Sequence, residues 1–184
     1  NFLHNYFLLF RPKDIVAGDF YWFSKIDDDN IFVVTADCTG HGVPGALMSM
    51  IGNNFLNQIV NEKHIFDPSL ILEGLNESVR IALKQDKEDT SSRDGMDLCL
   101  CRISGNKVTY AGAKRPLIVI QDGKLEIIKG DFASIGGRQK SEKTQYTNRE
   151  IEIVKGKTSI YLTTDGYIDQ PDPDRNRIGS KGLY

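Results

Sequence analysis

The chain has 184 residues, 40% of them hydrophobic and 26% charged, with a formal net charge of -2 and a pI near 5.9. That length fits one domain able to bury roughly 70% of its unfolded surface, and the near-neutral balance excludes the basic footprint of a nucleic-acid binder. No apolar run approaches the ~18 residues a membrane span needs, no secretory signal opens the chain, and three cysteines without a framework fit a reducing, cytoplasmic setting.

The chain opens inside an aromatic and aliphatic run, Tyr6-Phe7-Leu8-Leu9-Phe10, and closes at Gly182-Leu183-Tyr184, so both ends read as cut from something larger. Alternating side chains over 19–26 predict a strand, the polar 27–30 a hairpin turn, and 31–36 its antiparallel partner. The period then lengthens. Leu47, Ile51, Phe55 and Ile59 recur every four residues, with Ala46, Met50 and Leu56 widening the stripe, which predicts an amphipathic helix over 44–60.

A second helix starts at Asp67-Pro68, an N-cap followed by proline at the first helical position, and runs through Ile71, Leu75, Val79 and Leu83 to near Lys87. The charged stretch 85–95 reads as a mobile loop. Strands follow at 96–103, 107–113, 116–121 and 124–128, which together predict an antiparallel meander. Cys99 and Cys101 share one strand face, a spacing that suits core packing rather than zinc or redox chemistry. A loop over 135–149, strands at 150–154 and 158–164, and a loop-like tail over 170–181 complete the chain.

Two of the strands end alike. Residues 31–36 stop at Asp37, and 159–164 stop at Asp165; Cys38-Thr39-Gly40-His41-Gly42 after the first and Gly166 after the second let the backbone turn and leave its carbonyls open. Asp19, beside Gly18, is a third acid next to apolar strand residues. The hairpin brings Asp19 and Asp37 to one edge. Any one of them reads equally as a surface aspartate closing a turn, but buried acids are normally paired or metal-bound. The three together therefore predict an electronegative cleft for a hard cation. No Ser-His or Cys-Arg nucleophile arrangement is visible.

The ordered segments RPKDIVAGDFYWF, ADCTGHGVPGALMSMIG, DGMDLCLCRI, YAGAKRPL and YLTTDGYIDQ resemble the SpoIIE-type branch of the PPM (protein phosphatase 2C-like) serine/threonine phosphatases. The resemblance implies an α+β fold, with a central antiparallel β-sandwich flanked by helices on both faces. It implies one domain over 1–184 that lacks the family's final helix and strand and forms the C-terminal effector of a larger sensor. It also implies a binuclear Mn²⁺ or Mg²⁺ centre in which Asp37 bridges the ions, the main-chain carbonyl of Cys38 binds one, Asp165 binds the other, and Asp19 ligates directly or through water. Such a centre hydrolyses phosphoserine and phosphothreonine with a metal-activated water.

Asp94 and Asp97 lie near where some relatives hold a third metal, and each reads equally as a loop-end acid. His41 stands four residues after Asp37, in place of the wider superfamily's DGHGG, and reads as a turn histidine capping the next helix or bonding the loop. Arg11 ranks slightly ahead of Lys13, Lys114 and Arg115 as a phosphate-binding cation. The implied partner is a phosphorylated anti-sigma-factor-antagonist type protein in bacterial partner-switching signalling. Two other readings stand beside this one: a dimerising signalling module using the helix pair 44–60 and 67–87, and a two-metal nucleotidyl cyclase.

Overall fold

The computed structural model describes residues 5–12, 14–85, 92–137, 139 and 144–179. Two sheets and two α-helices make an α+β fold. The first sheet runs β1 (Phe20–Asp27), β2 (Asn30–Cys38), β3 (Gly95–Ser104), β4 (Lys107–Ala113) and β8 (Arg149–Glu152), with the short β7 (Ile135–Gly136) beside β3. The second runs β6 (Lys124–Ile128), β5 (Leu117–Gln121) and β9 (Thr158–Leu162). Every strand pair in both sheets is antiparallel.

Strand alternation sorts the side chains into two cores. Met96, Leu98 and Leu100 of β3 join Phe32, Val34, Ala36 and Cys38 of β2 beneath the helices. Cys99 and Cys101 point the other way and pack with Val108, Tyr110, Leu117 and Val119 between the sheets. All three cysteines are buried and free. The expected helices on both faces are met on one face only among the described residues. In addition, no helix among them is long and apolar enough to cross a membrane.

The expected single meander divides. Strands β3 and β4 belong to the first sheet and β5 and β6 to the second, so Lys114-Arg115 is a crossing between sheets, not a hairpin turn. Lys114 takes a left-handed φ of 59°. Its N–H donates to the Asp131 carbonyl at 2.8 Å, and the Arg115 N–H donates to that of Ala113 at 2.8 Å. Strands β8 and β9 divide in the same way, pairing with β4 and β5 respectively.

Helix α1 spans Gly42–Leu56 and continues as a π-helix over Asn57–Glu62, where an uninterrupted α-helix to residue 60 was expected. Side chains from β1 meet this extension: Trp22 Nε1 donates to Asn57 Oδ1 at 3.2 Å, and Ser24 Oγ to Asn61 Oδ1 at 2.6 Å. The buried face of α1 is Gly45, Met48, Gly52 and Leu56. Leu47 and Met50, expected in the core stripe, are instead 56% and 67% exposed. The cause is close approach: a Cβ on Gly45 would stand 2.6 Å from the Gly40 carbonyl oxygen, so the helix packs through its glycines.

Helix α2 (Pro68–Ala82) begins at Asp67 as expected and stops short of Lys87. Lys84 turns left-handed, its N–H donates to Ile81, and Gln85 N–H donates to Arg80, which is a Schellman ending. Residues 86–91 of the expected mobile loop lie outside the described residues, as do Lys13 and the chain end from 180 onward.

Candidate metal and phosphate site

Asp37 is the penultimate residue of β2 and sits opposite Asp97 of β3. It lies on the strand face that carries Val33 and Thr35, the face turned toward the second sheet. Asp19 stands one residue before β1, whose Phe20 pairs with Ala36, so the hairpin sets Asp19 beside Asp37. Asp165 follows β9 by three residues and belongs to the other sheet. The acids thus converge on one end of the sandwich from three different strands.

Arg115 joins them. Its Nη2 donates to Asp37 Oδ2 and, at 2.9 Å, to Asp165 Oδ2. The Arg115 and Asp37 side chains are 16% and 17% exposed, so the pair is largely shielded from solvent. Burial raises the Asp19 pKa above the ordinary carboxylate value. A hydrogen bond from Thr164 lowers it, the Asp165 charge raises it again and Arg115 lowers it. Asp19 therefore feels both Asp165 and Arg115, and its Oδ2 lies 3.7 Å from where a Cβ on Gly166 would stand.

The backbone after Asp37 is drawn inward. Gly40 and Gly42 take φ of 84° and 60°, a turn that side-chain-bearing residues resist. Gly18 and Gly45 close on it from two sides: a Cβ on Gly18 would lie 2.7 Å from the Gly40 carbonyl oxygen and 3.3 Å from that of Cys38. Thr39 ties the loop to β3, donating its N–H to Gly95 O at 2.9 Å and accepting from Gly95 N at 3.0 Å. The Cys38 thiol is pushed up to about 12, by burial first and then by the Asp19 charge. It stays protonated at neutral pH, which leaves the residue its carbonyl as a donor.

The other candidates have separate partners. Asp94 accepts from the Thr39 hydroxyl at 3.2 Å, and Asp97 accepts from Ser134 at 2.6 Å and lies 3.7 Å from Lys114 Nζ. His41 occupies the N-cap position of α1 but makes no side-chain cap bond, and its Nδ1 faces Asp14 at 3.7 Å. Arg11 is exposed on the N-terminal run. Arg115 is the cation brought to the acids. The sequence offers it only as one of four candidate cations, behind Arg11, because the 114–115 crossing reads as an ordinary hairpin.

Among the described residues, no group of three or more histidine, cysteine, aspartate or glutamate side chains is arranged to hold a metal ion. The guanidinium lies between two of the three acids. The donors at this end are carboxylate oxygens, with the Cys38 and Gly40 carbonyls packed against Gly18 beside Asp19, and oxygen donors are what Mg²⁺ and Mn²⁺ prefer. An excess of acid over one shared arginine charge at a partly buried site suits a divalent cation, so the residues fit the group.

The family model "Stage II sporulation protein E (SpoIIE)" matches residues 27–184. The chain belongs to the SpoIIE family. Its fold resembles the SiaA-PP2C domain of Pseudomonas aeruginosa with a TM-score of 0.82 at 29% identity, covering 96% of this chain and 68% of that one. RsbX in complex with magnesium aligns with a TM-score of 0.60 at 20% identity, covering 87% and 71%. The catalytic domain of the serine/threonine protein phosphatase PstP, in complex with two manganese ions, aligns with a TM-score of 0.60 at 16% identity, covering 88% and 76%. No curated protein matches the chain significantly. This SpoIIE-family domain therefore has a PP2C-like fold.

Proposed function

We propose that this chain is a metal-dependent protein phosphatase that hydrolyses phosphoserine and phosphothreonine in a phosphorylated anti-sigma-factor-antagonist type protein. The observation that carries this reading is the single guanidinium shared by Asp37 and Asp165, acids from two different sheets. In the proposed site Asp37, Asp165, the Cys38 carbonyl and Asp19 would hold two Mn²⁺ or Mg²⁺ ions. When bound, the ions supply water activation near neutral pH and neutralise charge on the transferring phosphoryl group.

The chain's own residues do the rest. Gly18 and Gly45 hold the Cys38 and Gly40 carbonyls in place by close contact, and Thr39 anchors the loop to β3. The protonated Cys38 thiol offers no competing nucleophile. Arg115, rather than exposed Arg11, is the cation set to meet the phosphoryl oxygens, since a guanidinium matches them with paired donors. Phosphate release from a phosphoserine peptide should require Mn²⁺ and fall by about 10²-fold or more in Asp37→Asn, the scale of losing electrostatic stabilisation at a reacting centre. Equal turnover in the variant, or in excess chelator, defeats the mechanism.

A second reading, a dimerising signalling module, is favoured by one observation. Val43, Leu47 and Met50 form an exposed apolar row along α1, which follows directly on the Asp37 loop. A second copy docked there would act on the site through the helix that positions the loop. Sedimentation over a range of concentrations tests it.

A further inference from the structure

Arg115 is fixed at its backbone, while only part of its guanidinium is paired. The Tyr110 hydroxyl donates to the Arg115 carbonyl at 2.6 Å, and the left-handed turn at Lys114 fixes the direction in which the chain leaves β4. The guanidinium, by contrast, spends Nη2 on two carboxylates while its buried Nε has no hydrogen-bond partner among the described residues. A buried donor left unpaired is costly. The resting position is therefore a compromise, held by the need of Asp37 and Asp165 for positive charge.

We propose that Arg115 is a resident cation that neutralises Asp37 and Asp165 in the metal-free protein and must be displaced before a divalent ion can bind between them. This rests on the reading of those acids as metal ligands. One guanidinium carries one charge, and an ion entering between the same oxygens carries two, so the two cations compete for the same carboxylates and repel each other at contact distance. Displacement frees the whole guanidinium, Nε included, to face an anion. The metal-free site is thereby kept from self-repulsion, and metal binding becomes the step that arms the phosphate-binding arginine.

The test is calorimetric titration of Mn²⁺ into the chain and into Arg115→Gln, with thermal melts in chelator and at saturating Mn²⁺. The variant should bind Mn²⁺ about tenfold more tightly, or ~1.4 kcal/mol. It should melt below the wild type in chelator, and that gap should close when Mn²⁺ saturates both. Arg115→Lys keeps the charge and the aliphatic stem, and should show a smaller gain in affinity, so the test survives if Arg115→Gln folds poorly. Wild type binding Mn²⁺ with both variants equal to it or weaker overturns the competition while leaving the metal site standing. No Mn²⁺ binding to any of the three proteins, with Arg115→Gln still melting lower in chelator, removes the metal reading itself and leaves a plain ion pair.

Discussion

Asp67 joins a helix start to a distant segment. Its Oδ1 accepts from the Leu70 N–H at 3.0 Å and the Ser69 hydroxyl at 2.6 Å, and its Oδ2 accepts from Asn148 at 2.7 Å, just before β8. Asn148 completes the circuit by accepting from the Ser69 N–H at 2.9 Å. Burial pushes the Asp67 carboxyl up, but the hydrogen bonds from Ser69, Asn148 and Leu70 outweigh it and hold the pKa below the ordinary value. A folded pKa below the unfolded one adds stability that is complete above the unfolded value, near pH ~4, and is lost as pH falls through the folded one. Asp67→Ala should therefore cost about 1 kcal/mol at pH 7, and less at pH 3, as read by urea unfolding at both. An equal cost at both pH values would show that the charge contributes nothing.

The cap was legible in Asp67-Pro68 because capping is local: the residues that make the bond lie three apart. Asp19, Asp37 and Asp165 were legible as strand-end acids for the same reason. Arg115 was legible only as one of four candidate cations, ranked behind Arg11, since its meaning comes from where the chain goes after β4. The role of Asn148 at the α2 start was hidden likewise, by a separation of 81 residues from Asp67.

At the scale of elements, α1 shows how a periodic pattern can point to the wrong face. Glycine contributes no hydrophobicity to a stripe, yet Gly45 and Gly52 mark the side that meets the 38–42 loop, Met96 and Phe20. Side chains of ordinary size would hold the helix away from the Asp37 loop. The apolar residues on the opposite side, Val43, Leu47 and Met50, are left outward. The π-helical extension was invisible for a related reason, because its partners Trp22 and Ser24 belong to another strand. If the outward row docks a second copy, the sedimenting mass of the chain should rise with concentration, and Leu47→Glu should stay at the monomer mass. Leu47 is more than half exposed, so that substitution tests contact rather than folding. A wild-type chain that remains monomeric at high concentration removes the dimer.

Across the whole molecule, the two sheets meet through a core of Cys99, Cys101, Val108, Tyr110, Leu117 and Val119. The sequence assigned these strands correctly by alternation, which tells each residue its face. Alternation cannot tell a strand its sheet, so the exchange of β4 for β5 at Lys114-Arg115, and of β8 for β9, became visible only in three dimensions. That exchange is what sets Asp37 and Asp165 across from each other, one on each layer. A divalent ion held by both would fasten the end of the sandwich, and since the unfolded chain keeps no such arrangement, binding would stabilise the native state alone. Mn²⁺ at a hundred times its dissociation constant should add about 2.7 kcal/mol, a rise in melting temperature of roughly 5–10 °C for a domain of this size. Asp165→Asn keeps the side-chain shape but removes the charge on the second sheet, and most of that rise should disappear, with chelator returning the wild type to its starting temperature. An undiminished Mn²⁺-induced rise in Asp165→Asn would place the ion on one sheet only and break the link between the crossing and the site.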